Sequence, residues 1–174
     1  MADPNEAAPL LQGALVALGM GDDPHMRETG RRVAELLATF VPAPAPPIVS
    51  FEVAGAGPVI ARDIPFASLC AHHLVPFFGT IDVAYAPVDR VAGLSAITRT
   101  VHHLARRPQL QEGLGLEIAT HLDDTLGPLG VAVRIRARQM CVELRDGGYG
   151  VVFETWSRRG RADDLTGLIA RGST

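Results

Sequence analysis

Apolar and polar positions divide this chain into a helical beginning, a mixed middle and a strand-rich end. Leu10, Leu11, Leu15 and Leu18 recur at helical spacing, which predicts an amphipathic helix over 6–19. Gly19-Met20-Gly21-Asp22-Asp23-Pro24 breaks it, and Val33, Leu36, Leu37 and Phe40 mark a second helix over about 26–40. Pro42-Ala43-Pro44-Ala45-Pro46-Pro47 ends that helix and forms a stiff connector. Strands follow over 51–53 and 59–66, then over 80–85, where Ile81, Val83 and Tyr85 share a face.

Gly93-Leu94-Ser95 opens a helix with Leu94, Ile97, Val101 and Leu104 in line. After Arg107-Pro108, Leu114, Ile118, Leu122 and Leu126 define another, stopped by Gly127-Pro128-Leu129-Gly130. Residues 131–138 alternate strictly, with Val131, Val133, Ile135 and Ala137 on one face and Arg134, Arg136 and Arg138 on the other. Continuing that period puts Gln139 and Cys141 on the Val face. A strand over 150–157 and a short helix over 163–170 follow, and Arg158-Arg159-Gly160-Arg161 reads as a solvated turn. The order predicts an α+β protein: an N-terminal helical region 1–41, a connector 42–47 and a main domain 48–174.

Composition narrows the function classes. Hydrophobic residues make up 47% of 174, enough for a sizeable core, and the net charge of −3 gives no reason to expect nucleic-acid binding. There is no run of 18 uncharged apolar residues, so no membrane span is expected. The start, Met1-Ala2-Asp3-Pro4-Asn5-Glu6, is acidic and lacks the layout of a secretory signal, which makes the cytoplasm the expected location. All 16 basic residues are Arg, which reads as compositional drift.

Only two Cys are present, and a cytosolic pair suits inert core residues, a redox couple or metal ligands. Cys70-Ala71-His72-His73 sets a thiol and an imidazole three residues apart, a workable claw for zinc, and Cys141 is available as a third ligand. Two Cys and one His leave a fourth position for water, the layout of a catalytic site. By spacing alone, two small buried hydrophobes are the favoured reading, since Cys-x-x-His often arises by accident.

The stretch Ile64-Pro65-Phe66-Ala67-Ser68-Leu69-Cys70-Ala71-His72-His73-Leu74-Val75-Pro76-Phe77-Phe78-Gly79 closely resembles GTP cyclohydrolase I. So do Gly93-Leu94-Ser95, Arg107-Pro108-Gln109-Leu110-Gln111-Glu112, Gln139-Met140-Cys141 and the N-terminal Glu28-Thr29-Gly30-Arg31-Arg32. The resemblance runs in order over roughly residues 10–160. It implies a tunnelling fold, in which each subunit gives a four-stranded antiparallel sheet and two helices to a toroidal homo-oligomer, usually a decamer, with active sites between subunits.

The resemblance also implies roles. Cys70, His73 and Cys141 match the zinc ligands, and the activated water attacks C8 of the purine. His72 matches the general acid toward the imidazole nitrogen. Glu112 matches the carboxylate that accepts from guanine N1–H and the 2-amino group, with Gln111 beside it. Ser95 matches a residue near the ribose, and Arg32, Arg99 and Arg145 match phosphate-contacting arginines. Taken singly, Glu112 reads first as a solvated carboxylate, Arg145 as a surface charge and Ser95 as a helix cap; the motifs in register turn each toward the site role.

Three departures from the family stand out. Gln139 replaces a His and has no titratable proton near neutral pH. Glu35 and Ala96 replace two lysines expected at the triphosphate, and Glu35 lies where it could pair with Arg32. Arg31 or Arg138 could compensate. Ala71 replaces a Glu that need not touch the substrate. These changes suggest a divergent relative opening the imidazole ring of a less phosphorylated guanine-type purine: a nucleotide, nucleoside or free base, including an 8-oxo form. The alternatives are an ordinary GTP cyclohydrolase I making dihydroneopterin triphosphate and formate, or a non-catalytic purine- or pterin-binding subunit. A nitrile reductase of the same fold fits less well, because a covalent Cys needs neither His73 nor a second Cys.

Overall fold

The computed structural model describes residues 3–21 and 23–172; Met1 and Ala2 of the acidic start and Asp22 of the expected break lie outside them. Two compact units divide between Ala43 and Pro44, inside the Pro-rich segment. Among the described residues no helix is long and apolar enough to cross a membrane.

The first unit holds α1 (Pro4–Ala17), a 3-10 turn (Pro24–Met26) and α2 (Thr29–Ala38). The Asp3 side chain caps α1 by accepting from the Asn5 N–H at 2.8 Å. The two helices meet at Gly30, where a Cβ would lie 2.6 Å from the Ala8 carbonyl oxygen. Gln12 bridges them, donating to the Met26 carbonyl and accepting from the Gly30 N–H. The apolar stripe expected on α1 is not buried in this unit: Leu10 and Leu18 are exposed.

The second unit runs β1 (Ser50–Glu52), β2 (Val59–Cys70), β3 (Pro76–Ala86), β4 (Arg90–Ala92), α3 (Leu94–Ala105), β5 (Pro108–Gln109), α4 (Gln111–Leu126), β6 (Gly130–Gln139), α5 (Met140–Asp146), β7 (Val152–Gly160) and α6 (Asp163–Arg171). Its main sheet has the order β5-β2-β3-β6-β7. The four long strands are antiparallel, and the two residues of β5 join β2 in parallel. β1 and β4 form a separate pair.

Helices α3 and α4 cover one face of the sheet. The Leu114–Leu126 row lies fully inward, against Val83, Val133 and Ile135. Gly127 closes α4 in the left-handed region, at φ 57°. Strand β2 is longer than its apolar alternation shows, because a bulge between Ala61 and Ile64 interrupts the period, with Asp63 at φ 51°. β7 runs on to Gly160, so Arg158 and Arg159 are strand residues opposite Ala132 and Val131 rather than a solvated turn.

The arginine face of β6 is partly covered. α6 covers part of it, packing Leu165 and Ile169 on Ala84 and Ala132. Arg62 holds the end of that helix, donating to the Leu168 and Ile169 carbonyls at 3.0 Å. Arg134 is 5% exposed and donates from Nε and Nη2 to Asp82 Oδ2 at 2.8 and 2.6 Å. Asp82 stands directly opposite it in the β3–β6 register, and its Oδ1 accepts from the Asp63 N–H of the bulge. One carboxylate thus serves a buried cation and an irregular stretch of backbone. Asp82→Ala is expected to cost about 3–5 kcal/mol, because it leaves the guanidinium buried without its counter-ion. Asp82→Leu combined with Arg134→Met should cost less. Urea unfolding measures both, and a loss below about 1 kcal/mol for the single change would count against this account.

Candidate metal centre and pocket

Cys70 ends β2 and opens the turn that leads into β3. Its N–H donates to the Val75 carbonyl at 2.9 Å, and its own carbonyl accepts from Leu74 at 2.8 Å. Leu74 sits at φ 54°, which closes the loop tightly. The Ala71 N–H donates to the Gln109 carbonyl and ties the loop to β5. The backbone therefore sets Cys70 and His73 on one turn before any metal arrives.

Cys141 reaches the same place by a route that strand periodicity does not foresee. β6 ends at Gln139, and Met140 begins the short helix α5, so Cys141 lies in a helical first turn rather than on a continuing strand. The Cys70 and Cys141 sulfurs and one His73 ring nitrogen all lie within 4.8 Å of one another. Cys70 Sγ is 3.8 Å from His73 Nδ1. Arg145, one turn further along α5, places Nη1 2.7 Å from His73 Nε2. A guanidinium has only donors, so in this arrangement Nε2 accepts and the ring N–H sits on Nδ1, facing Cys70; ligation of a metal through Nδ1 needs the other tautomer, which releases Nε2 from Arg145.

These donors fit a zinc-type ion. Bond lengths of about 2.3 Å to sulfur and about 2.0 Å to nitrogen put tetrahedral ligand atoms about 3.5–3.8 Å apart, against 3.8 Å from Cys70 Sγ to His73 Nδ1 and at most 4.8 Å across the set, so the donors need to draw together by no more than about 1 Å. Burial and the neighbouring Cys70 thiol hold the Cys141 thiol above its ordinary pKa. A divalent cation reverses that preference, because it favours the thiolate.

Beside the donors lies a pocket of about 380 Å³ lined by Cys70, His72, Gln109, Gln111, Glu112, Gln139, Cys141 and Thr155, among others. A larger hollow of about 560 Å³, at Pro65, Phe66, His102 and His103, lies away from the donor cluster; donor chemistry and not size identifies the site. Gln139 and Cys141 share the smaller pocket, as expected, although the helical start at Met140 removes the parity argument for it. Gln111 is buried, and its Nε2 faces the Ile135 and Phe153 carbonyls and Thr155 Oγ1 at 3.1–3.2 Å. Its Oε1 accepts from Gln139 Nε2 at 2.7 Å. His72 and Glu112 are exposed at the pocket.

The other expected residues are placed differently. Ser95 and Arg99 lie on the first turns of α3 and do not line this pocket; Ser95 Oγ accepts from Arg99 Nη1 at 3.0 Å rather than capping the helix. Arg32 is exposed on α2 of the first unit. Glu35 pairs with Arg31 at 2.5 Å and not with Arg32, and Arg31 also donates to Glu28. Arg138 donates to both oxygens of Glu143 at 2.7 and 2.6 Å. Both arginines named as compensating cations are therefore engaged by carboxylates. Ala96 is buried in the core. Gln109, Thr155 and Glu143 were not singled out from the sequence: Gln109 stands in a motif quoted for its neighbours Gln111 and Glu112, Glu143 follows Cys141 by two residues, and Thr155 lies in an unremarkable strand.

The GTP cyclohydrolase I family profile matches residues 11–160. Among similar curated proteins, GTP cyclohydrolase 1 of Sulfurihydrogenibium sp. (strain YO3AOP1) is 44% identical over 132 residues, covering 73% of this chain and 71% of that protein. The protein of the same name from Lactiplantibacillus plantarum is 45% identical over 130 residues, 71% and 69% of the two chains. That from Aquifex aeolicus is 42% identical over 132 residues, 73% and 72% of the two. Among solved structures, archaeosine synthase QueF-Like in its apo form superposes with a TM-score of 0.50 at 18% identity, over 61% of this chain and 96% of that one, which marks a shared tunnelling fold. With the family profile spanning both the Cys70 loop and the start of α5, this chain belongs to the GTP cyclohydrolase I family.

Proposed function

We propose that the protein is a zinc-dependent GTP cyclohydrolase of type I, acting as a homo-oligomer in the cytoplasm. The observation that carries this is the meeting of Cys70, His73 and Cys141 at a pocket that also holds His72 and Glu112. When bound, zinc supplies the Lewis acidity that makes water a nucleophile near neutral pH. The chain's own residues do the rest. Glu112 accepts from N1–H and the 2-amino group of guanine and orients the base. His72 donates a proton to the imidazole ring as water adds at C8, so a C8–N bond opens and leaves a formamide. The family resemblance gives Arg145, Arg99 and Arg32 to phosphate and Ser95 to the ribose; Ser95, Arg99 and Arg32 do not line the pocket of their own chain, so in this reading they serve a pocket on a neighbouring copy. Among the described residues the outer edge of β7 is unpaired, and β2 is covered on its far side only by two-residue β5, which leaves strand edges for neighbouring copies. A decameric ring pair is the family's form of that assembly.

Similarity to the curated relatives favours GTP over a less phosphorylated purine as substrate. One observation keeps a narrower reading open. Gln139 is hydrogen-bonded to Gln111 and carries no titratable proton, so the steps after ring opening lack the imidazole of the family pattern. In this second reading the reaction stops at the ring-opened formamide, or a purine with fewer phosphates is used.

The zinc-loaded protein should be incubated with GTP, GMP, guanosine, guanine and 8-oxoguanine, with products followed by mass and pterin fluorescence. GTP is expected to give first a product one water heavier, then pterin, and Gln139→His should raise the pterin share. His72→Ala should slow ring opening about 10²–10⁴-fold with zinc content unchanged. Preference for GMP or a free base would move the assignment to the second reading. Inertness toward every purine would leave a binding subunit.

Metal binding carries its own pH signature. The Cys141 thiol is held high, so it is protonated at neutral pH without metal and must lose that proton to bind. Zinc affinity should therefore rise with pH, roughly tenfold per unit for each proton displaced. Calorimetry in buffers of different ionisation enthalpy measures the release. Cys141→Ala should lower both affinity and proton count; unchanged zinc content would remove Cys141 from the ligand set.

A further inference from the structure

Helix α5 carries Cys141 and Arg145, yet little of it is anchored by apolar packing. It has seven residues, too few to be stable alone, and its N-cap Gln139 makes no side-chain cap. Leu144 is 70% exposed, while Met140 and Val142 are only half-buried. The one fully buried side chain of the helix is a carboxylate, Glu143, at 4% exposure. Its two oxygens accept from Nε and Nη2 of Arg138 at 2.7 and 2.6 Å, and the Gly150 backbone adds a third hydrogen bond. Arg138 is the penultimate residue of β6, and its guanidinium lies 5.7 Å from the Phe78 ring on β3. The carboxylate thus joins the end of the sheet, the helix and the segment that enters β7.

We propose that Arg138 and Glu143 form a positioning clamp for the metal centre, fixing α5 so that the Cys141 sulfur meets Cys70 and His73. The proposal rests on the zinc reading given above. It follows from where the restraint lies. Cys70 and His73 are set by their own hairpin, whose backbone hydrogen bonds do not involve α5. The third donor has no such frame, and rotation of α5 about its axis would carry Cys141 and Arg145 away together. A bidentate guanidinium–carboxylate pair opposes that rotation, since it fixes direction as well as distance. Neither residue touches the pocket, so neither is a catalytic residue.

Cobalt(II) substitution tests this, because the intensity of the thiolate-to-cobalt absorption band reports how many sulfurs bind. The unaltered protein should show a two-thiolate spectrum, and Cys141→Ala a one-thiolate spectrum. Arg138→Gln should shift the band toward that of Cys141→Ala and weaken zinc binding about 10- to 100-fold in chelator competition. Arg138→Lys, which keeps the charge but not the fork, should fall between. Glu143→Gln should match Arg138→Gln, and the double variant should be no worse than either. Should Glu143→Gln fail to fold, Arg138→Gln carries the test, since that side chain is 44% exposed. A two-thiolate spectrum and unchanged zinc affinity in Arg138→Gln would overturn the clamp alone. Absence of any thiolate band in the unaltered protein would overturn the zinc reading and the clamp with it.

Discussion

Strand β3 is the constraint on which the site depends. It is hydrogen-bonded on both sides over nearly its whole length, to β2 and to β6. Its first residues pair Pro76 with Leu69 on one side and Phe77 with Gln139 on the other. That register brings the end of β2 and the end of β6 to the same end of the sheet. Cys70 follows Leu69 by one residue, and Cys141 follows Gln139 by two. A slip of either ladder by one residue would turn the apolar set outward and part the two sulfurs, so the core and the donor cluster enforce the same pairing. Core burial is the larger of the two forces. Ile81, Val83, Val133 and Ile135 lie at 0–1% exposure under α3 and α4, and each such side chain stabilises by about 1.5–3 kcal/mol.

How much of this the sequence discloses depends on which force sets each residue. Positions set by apolar burial were legible: the Leu114–Leu126 row of α4, the Ile81–Tyr85 face and the Val face of β6 lie where their periods put them. Positions set by polar pairing were not. Arg134 alternates like a solvent-facing residue, and only the register opposite Asp82 and the cover of α6 make it internal. The switch from strand to helix at Met140 has no apolar period behind it, because the buried residue of α5 is Glu143. Family motifs supplied the ligand set, since Cys-x-x-His and a distant Cys carry no spacing that demands a metal. The geometry then gave that set physical content, within 4.8 Å.

The arginines follow the same logic. Drift from Lys to Arg keeps charge, but a guanidinium offers five donors in a plane and so attracts carboxylates in pairs. Arg31 holds Glu28 and Glu35, Arg136 holds Asp63, and Arg138 holds Glu143. Arg138 in turn keeps the Glu143 carboxyl below its usual pKa, against the opposing effect of burial. A phosphate ligand would have to outcompete these partners. In the proposed function, phosphate recognition rests on the three arginines that the family resemblance assigns to it, Arg32, Arg99 and Arg145. Of these, Arg145 leans on His73 and Arg99 on Ser95, partners that carry no formal negative charge in the neutral state.

Gln139 shows how the scaffold directs chemistry from outside the reacting atoms. The carbonyls of Ile135 and Phe153 can only accept, so they hold the Gln111 amide with its NH₂ toward the sheet. Gln111 Oε1 must then face outward, which turns the NH₂ of Gln139 toward it and leaves Gln139 Oε1 as the remaining acceptor on that side chain. A histidine at this position could accept or donate and could exchange a proton; a glutamine oriented by two backbone carbonyls has one polarity. The substitution therefore does more than remove a titratable group. It converts a reversible proton carrier into a fixed dipole whose direction is set by β6 and β7, and such a dipole can hold a ring-opened intermediate in place but cannot move its protons.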